Sequence, residues 1–215
     1  MDLLSSTISL IILIYSAILH EIAHGFVADR FGDPTARLAG RLSLNPKKHI
    51  DPFMSVLLPL LLILSGSPVI FGAAKPVPID PFNLKEGRKD VALVALSGPL
   101  TNVIIAVLGS FLIKLLPVFS DLLSPFLSSI FYLLFSSVVT LNLLLAIFNL
   151  LPIPPLDGSK VFALLLPEKQ ASIYLSLGSI GFFVIFFLLL FPIGGFSLGE
   201  VIFSLLTFSE KLLGI

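Results

Sequence analysis

The residues best suited to chemistry form a short pattern near the start of the chain, His-Glu-x-x-His, made by His20, Glu21 and His24. On an α-helix, side chains four residues apart share a face, so both imidazoles can bind one metal ion. Glu21 lies beside them, where its carboxylate can accept a proton from a water molecule at that ion. The alternative interpretation is a polar helix end, or a cluster of hydrogen bonds between helices.

The position of this motif favours the metal-binding interpretation. Residues 3–28 are apolar apart from the motif and are long enough to span a hydrocarbon core of ~30 Å. Ionisable groups at membrane depth cost ~3 kcal/mol or more, so they are functional by default. Because the segment lacks a basic region before its apolar run, we expect a retained span rather than a cleaved signal peptide.

Composition indicates a membrane protein with several spans. The 215 residues are 56% hydrophobic and only 12% charged, and the mean hydropathy is +1.08. The chain has no cysteine, which excludes disulfides and thiolate ligands, so a metal must be held by His, Asp or Glu. The formal net charge of zero gives no indication of a nucleic-acid partner.

The predicted fold class is an all-α polytopic membrane protein, with residues 1–215 forming one membrane-embedded domain. Five apolar segments are predicted to cross fully: 3–28, 91–116, 126–151, 172–192 and 197–213. Segment 53–74 is short and broken by proline and glycine, and we expect a re-entrant element there. Residues 36–44 and 69–72 are expected to form a short β-hairpin or sheet.

The distribution of basic residues decides between a crossing and a re-entrant segment 53–74. If it crossed, six Lys and Arg would lie on one side and seven on the other, which is no asymmetry. If it is re-entrant, twelve of the 13 lie on one side and Lys114 alone on the other. The positive-inside rule therefore predicts an external N-terminus and a metal site in the cytoplasmic half of the membrane.

A catalytic zinc site keeps three protein ligands and one open position, so a third ligand is needed. Asp157 is the best candidate, because it follows a proline-rich break at 152–155. Irregular backbone at membrane depth is tolerated only where it is buried or lines a cavity. The competing interpretation is that Asp157 caps the N-terminus of a short helix, 158–166.

Three motifs in this order resemble the site-2 protease family of intramembrane zinc metalloproteases, in a minimal form without PDZ or CBS domains. They are His20-Glu21-x-x-His24, Ser97-Gly98-Pro99-x-x-Asn102 and Asn149-x-x-Pro152-x-Pro154-x-Leu156-Asp157-Gly158. The resemblance implies one Zn²⁺ per chain, bound by His20, His24 and Asp157. It further implies that Glu21 is the general base and that Asn149 assists near the scissile carbonyl.

The resemblance also implies substrates that are transmembrane proteins, cleaved within or near their membrane helices in the lipid bilayer of a prokaryotic plasma membrane. Asn102 has either a substrate-directed or a structural role, and His49 either approaches the site or anchors a loop. A proteolytically inactive scaffold of the same family is the alternative function. A metal transporter is disfavoured, because the later spans carry almost no ionisable residues. The oligomeric state stays open.

Overall fold

The structure is a computed structural model that describes residues 3–50, 75–119, 122–195 and 197–215. In chain order, the α-helices of these residues are α1 (Leu3–Phe31), α2 (Thr35–Leu38), α3 (Arg88–Leu115), α4 (Pro125–Leu150), α5 (Asp157–Phe162), α6 (Glu168–Ser176), α7 (Gly178–Leu190) and α8 (Leu198–Leu213). Short 3₁₀ turns lie at Pro46–Lys48, Pro81–Asn83, Leu116–Phe119 and Ala163–Leu165.

Three helices in the described part of the chain are long and apolar enough to cross a membrane: Ser5–Phe31, Arg88–Phe119 and Pro125–Leu150. A fourth crossing results if α6 and α7, which are bent by 68° relative to each other, are counted as one span. These helices indicate a multi-pass membrane protein of the all-α class.

The long helices form the core, with α3 packed against both α1 and α4. Ala106, Val139 and Leu143 are buried between α3 and α4. A Cβ at Gly109 would lie 3.0 Å from Val139 Cγ2, so glycine lets the two backbones approach closely. Helix α8 packs against the same pair, where Thr140 Oγ1 donates to Glu210 Oε1 at 2.6 Å.

Polar contacts bring the loop after α1 onto the loop before α3. The buried carboxylate of Asp33 accepts hydrogen bonds from the Asp80 N–H at 2.7 Å and from Asn83 Nδ2 at 3.0 Å. Nearby, the Lys75 N–H donates to the His49 carbonyl at 2.8 Å. Both polar loops therefore lie at the same end of the helices. Residues 53–74, including the predicted strand 69–72, lie outside the described residues.

The expectation of a strand at 36–44 is wrong. Thr35–Leu38 form helix α2 and turns follow it. The physical reason is local: Asp33 Oδ1 accepts from the Thr35 N–H at 3.1 Å and forms an Asx-type turn just before α2. This side chain supplies a partner for the backbone that a pattern of alternating apolar residues does not anticipate.

The predicted span 172–192 is not a straight helix. It contains the end of α6 and all of α7, with the bend at Leu177. Beyond the bend, a Cβ at Gly181 would collide with the Pro154 carbonyl, so the start of α7 packs directly on the proline-rich turn. Helix α8 matches the predicted segment 197–213 but has 16 residues, a rise of about 24 Å.

Candidate active site

His20, His24 and Asp157 converge at one point between α1 and α5. The Nε2 atoms of both histidines lie 3.1 Å from Asp157 Oδ2. All three residues are buried, with exposed fractions of 6–7%. One ligand atom from each lies within 4.8 Å of the other two. The spacing of four residues on α1 thus presents both imidazoles to the same carboxylate oxygen.

Each histidine is held by its other ring nitrogen. Nδ1 of His20 lies 2.6 Å from Asn102 Oδ1, and Nδ1 of His24 lies 2.7 Å from the Val94 carbonyl. Because both partners are acceptors, we assign the proton of each neutral ring to Nδ1. The lone pairs of both Nε2 atoms then face the Asp157 carboxylate. Two imidazole nitrogens and one carboxylate oxygen thus face each other without a proton between them, and a divalent cation bound by all three would stabilise this arrangement. The donor set fits zinc.

A chain of buried amides extends this arrangement across three helices. Asn102 Nδ2 donates to Asn142 Oδ1 at 2.9 Å, and Asn142 Nδ2 donates to Ser16 Oγ at 2.9 Å. Asn102 and Asn142 are fully buried. For Asn102, these contacts favour the structural interpretation over direct contact with substrate. Sequence reasoning missed Asn142 and Ser16, although an amide in the apolar helix α4 was a usable signal.

Gly98 creates the space in which the two imidazoles meet. A Cβ at this position would lie 2.5 Å from His24 Cε1 and 2.6 Å from His20 Nε2. Any larger residue would displace the rings from their positions. The Ser97-Gly98-Pro99 motif therefore has a steric function at the site, which the resemblance alone does not explain.

Asp157 is the first residue of α5, and the competing capping interpretation fails. The N-cap position is Leu156, and no side chain among the described residues caps this helix. The Asp157 carboxylate instead divides its oxygens, with Oδ2 toward the histidines and Oδ1 3.0 Å from Lys160 Nζ. Gly158 is required beside it, because a Cβ there would lie 2.1 Å from the Leu150 carbonyl oxygen.

Glu21 opens onto a cavity of about 380 Å³ at the site. Its Oε2 accepts a hydrogen bond from the Val77 N–H at 2.7 Å. Both polar and apolar residues line the cavity. It is lined by His20, Glu21, His24, Pro76, Val77, Ile79, Pro81, Val91, Val94, Ala95, Asn149, Pro155, Asp157 and Lys160.

The two remaining predicted residues lie in different places. Asn149 lines the cavity, and its Nδ2 donates to the Leu145 carbonyl of its own helix at 2.9 Å. His49 is buried, but its Nε2 pairs with the Ser43 carbonyl at 2.8 Å, and it does not line the described cavity. These contacts favour the loop-anchoring interpretation of His49.

Comparisons with known proteins agree with this geometry. The model of peptidase family M50 matches residues 8–132 and 116–192. YwhC of Bacillus subtilis (strain 168), named as a candidate zinc metalloprotease, is 39% identical over 189 residues, which cover 87% of this chain and 82% of YwhC. Rip2 of Mycobacterium tuberculosis (strain ATCC 25618 / H37Rv), named likewise, is 34% identical over 81% of this chain and 62% of Rip2. No solved structure matches.

Family, motif order and the convergence of His20, His24 and Asp157 point to the same enzyme class. The family match extends over most of the chain and includes every residue of the three motifs. The chain therefore belongs to peptidase family M50, the site-2 protease family, and is a metalloprotease.

Proposed function

We propose that this protein is an intramembrane zinc metalloprotease that hydrolyses peptide bonds within or near the transmembrane helices of membrane proteins. The observation that carries the proposal is the convergence of His20, His24 and Asp157 beside Glu21, in a cavity among long apolar helices. Burying ionisable groups among apolar membrane helices costs free energy, so their presence there indicates a functional site.

One Zn²⁺ per chain would be held by His20 Nε2, His24 Nε2 and an Asp157 carboxylate oxygen. When bound, zinc lowers the pKa of a coordinated water toward ~7 and polarises the scissile carbonyl. Asn102 and the Val94 carbonyl orient the two imidazoles by accepting their Nδ1–H protons, while Lys160 holds the second oxygen of Asp157.

Glu21 is the proposed general base. Its carboxylate takes a proton from the attacking water and returns one to the leaving amide nitrogen. The hydrogen bond from Val77 uses Oε2 and leaves Oε1 to act on water. Asn149 is the proposed donor to the oxygen of the scissile carbonyl, because one N–H of its amide is not engaged by the Leu145 carbonyl.

The cavity lining supports a substrate with small or apolar residues around the scissile bond. The apolar part of the lining includes Val77, Ile79, Val91, Val94 and Ala95. A transmembrane helix has its amides locked in hydrogen bonds four residues apart, so it must unwind before Glu21 and the metal can act on it. Helix-breaking residues near the cleavage site should therefore favour cleavage.

The proposed location is a prokaryotic plasma membrane, with five full spans, a re-entrant element at 53–74 and the active site in the cytoplasmic half. The charge distribution supports this arrangement, since only Lys114 then lies outside. It is also supported by the contact of His49 with Lys75, which brings together the residues that flank this element.

Cleavage by the purified full chain tests the proposed function. We expect the wild type to cut a model transmembrane substrate and Glu21→Gln to lose at least about 100-fold in kcat, the effect of removing a general base, with its zinc content unchanged. A wild type that binds zinc but cuts no membrane substrate would favour the inactive scaffold. A Glu21→Gln variant with full activity would exclude Glu21 as the base.

A further inference from the structure

Arg41 is a buried cation that pairs with no carboxylate among the described residues. It lies in the turn after α2 and is 7% exposed. A single guanidinium nitrogen, Nη2, donates to the Lys75 carbonyl at 2.6 Å and to the Pro76 carbonyl at 3.3 Å. Burying a charged group is costly without strong partners, and here its described partners are two successive peptide carbonyls. The charge is therefore used to fix a stretch of backbone.

That stretch leads directly to the proposed general base. Residues 75–80 form neither helix nor strand, and Val77 is the next residue after the two carbonyls that Arg41 holds. The Val77 N–H donates to Glu21 Oε2 at 2.7 Å. Pro76 and Pro78 flank Val77 and have no N–H, so among residues 76–78 Val77 alone can donate from the backbone.

Two further contacts hold residues 75–77 in place, one at the Lys75 N–H and one at the Val77 side chain. The Lys75 N–H donates to the His49 carbonyl at 2.8 Å, which fixes the start of the segment. The Val77 side chain is buried, and a Cβ at Gly25 would lie 2.9 Å from its Cγ1, so Val77 packs tightly against α1. The Glu21 carboxylate thus meets a peptide N–H with little freedom to move.

We propose that Arg41 is a positioning residue for proteolysis, acting on Glu21 through the backbone of Lys75, Pro76 and Val77. By holding the two carbonyls, it keeps the Val77 N–H where it orients the carboxylate of the base. The expected effect of Arg41 on catalysis rests on the proposed function. Its effect on the position of the Val77 N–H does not. Arg41 touches neither the metal ligands nor the cavity, so binding of zinc does not depend on it.

The matched variants are Arg41→Met, Arg41→Lys and Arg37→Met. Arg37 is the control, because it is exposed, lies four residues away, and pairs through Nε with Asp29 Oδ1 at 3.0 Å. For Arg41→Met we expect kcat to fall roughly 10- to 100-fold, the range for a lost charge-assisted hydrogen bond, with KM and bound zinc unchanged. Arg41→Lys keeps one donor group and should recover part of kcat, while Arg37→Met should match the wild type.

A second readout does not depend on activity. Val77→Cys places the chain's one thiol at a buried position while keeping its backbone N–H. Maleimide should label this thiol about tenfold faster when Arg41→Met is added, and at an unchanged rate when Arg37→Met is added. Unchanged labelling with Arg41→Met would overturn the proposal.

The outcomes separate this proposal from the proposed function. If Arg41→Met speeds labelling but the wild type cleaves no substrate, the structural role of Arg41 is supported and the proposed protease function is refuted. Normal kcat in Arg41→Met with active wild type would refute the positioning role. If Arg41→Met does not fold, Arg41→Gln decides, because its side chain is too short to place a donor at both carbonyls, and full wild-type kcat in that variant would contradict the positioning role.

Discussion

His20 Nδ1 lies 2.6 Å from Asn102 Oδ1, and this contact joins the proposed metal site to a hydrogen-bonded chain through three helices. Asn102 donates to Asn142 on α4, and Asn142 donates in turn to Ser16 on α1. Buried polar chains of this kind are stabilising only when every member is satisfied. The position of His20 therefore depends on the packing of α1, α3 and α4 together.

Asn102→Ala should weaken zinc binding because it removes the acceptor that orients His20. The loss of such a partner typically costs 10- to 100-fold in metal affinity. We expect a zinc dissociation constant raised by about that factor, measured by competition with a chelator, with cleavage restored at high zinc. The neighbouring Thr101→Val is the control, since the Thr101 hydroxyl donates to Ser97 within its own helix. Unchanged zinc affinity in Asn102→Ala would contradict the orienting role.

Gly98→Ala should damage the site although alanine is the better helix former. A gain of roughly 1 kcal/mol in helix propensity is expected at an interior glycine. The added Cβ would, however, lie 2.5–2.6 Å from atoms of His20 and His24. Overpacking costs about 1–3 kcal/mol, so displaced imidazoles should bind zinc roughly 5- to 150-fold more weakly.

Gly199→Ala is the matched control for this prediction. It lies in the first turn of α8, and the nearest atom to its added Cβ, Ser197 Oγ, would be 3.7 Å away. Bound zinc should not change in this variant, and the midpoint of thermal unfolding should stay the same or rise. If Gly98→Ala binds zinc as tightly as the wild type, the imidazoles of His20 and His24 can shift without a loss of zinc affinity.

The sequence predicted the grouping of His20, His24 and Asp157 better than it predicted the elements that position them. His20 and His24 are separated by one helical turn, so their convergence follows from local periodicity, and it lies in a helix as expected. The contact with Asp157 spans 133–137 residues and depended on motif order and charge asymmetry. The bend at Leu177 and the turn made by Asp33 arise from individual tertiary or side-chain contacts, which hydrophobic patterns do not encode.

Asp33 should make stability depend on pH. Burial acts to raise the pKa of this carboxyl group, but hydrogen bonds from Thr35 and Asn83 and from the Asp80 N–H outweigh burial. The net result is a pKa below the ordinary value for an aspartate side chain. Because the folded pKa is the lower one, the stabilisation is complete above pH ~4 and is lost as pH falls through the folded pKa.

The measurement is thermal unfolding in detergent from pH 7 to pH 3, for the wild type and Asp33→Asn. At pH 7, we expect the variant to have a free energy of unfolding lower by about 1–3 kcal/mol, because it replaces charge-assisted hydrogen bonds. The difference should narrow below pH ~4. A gap that is constant over the whole range would mean that ionisation of Asp33 does not stabilise the fold.

Two single cysteines should report on opposite sides of the membrane. Phe82, before α3, is 96% exposed, and Leu122, between α3 and α4, is 81% exposed. Since α3 has the length and hydropathy to cross, the two positions lie at opposite ends of one span. The positive-inside rule puts Phe82, with its neighbouring Lys85, Arg88 and Lys89, in the cytoplasm.

A maleimide that cannot cross membranes should therefore label Leu122→Cys on intact cells and Phe82→Cys only after permeabilisation. The native chain has no cysteine and provides the unlabelled control. Because the Asp33 carboxylate binds the backbone of Asp80 two residues before Phe82, the label also reports the side on which α1 ends. Labelling of Phe82→Cys from outside would reverse the topology and would place the end of α1 that follows His24 toward the exterior.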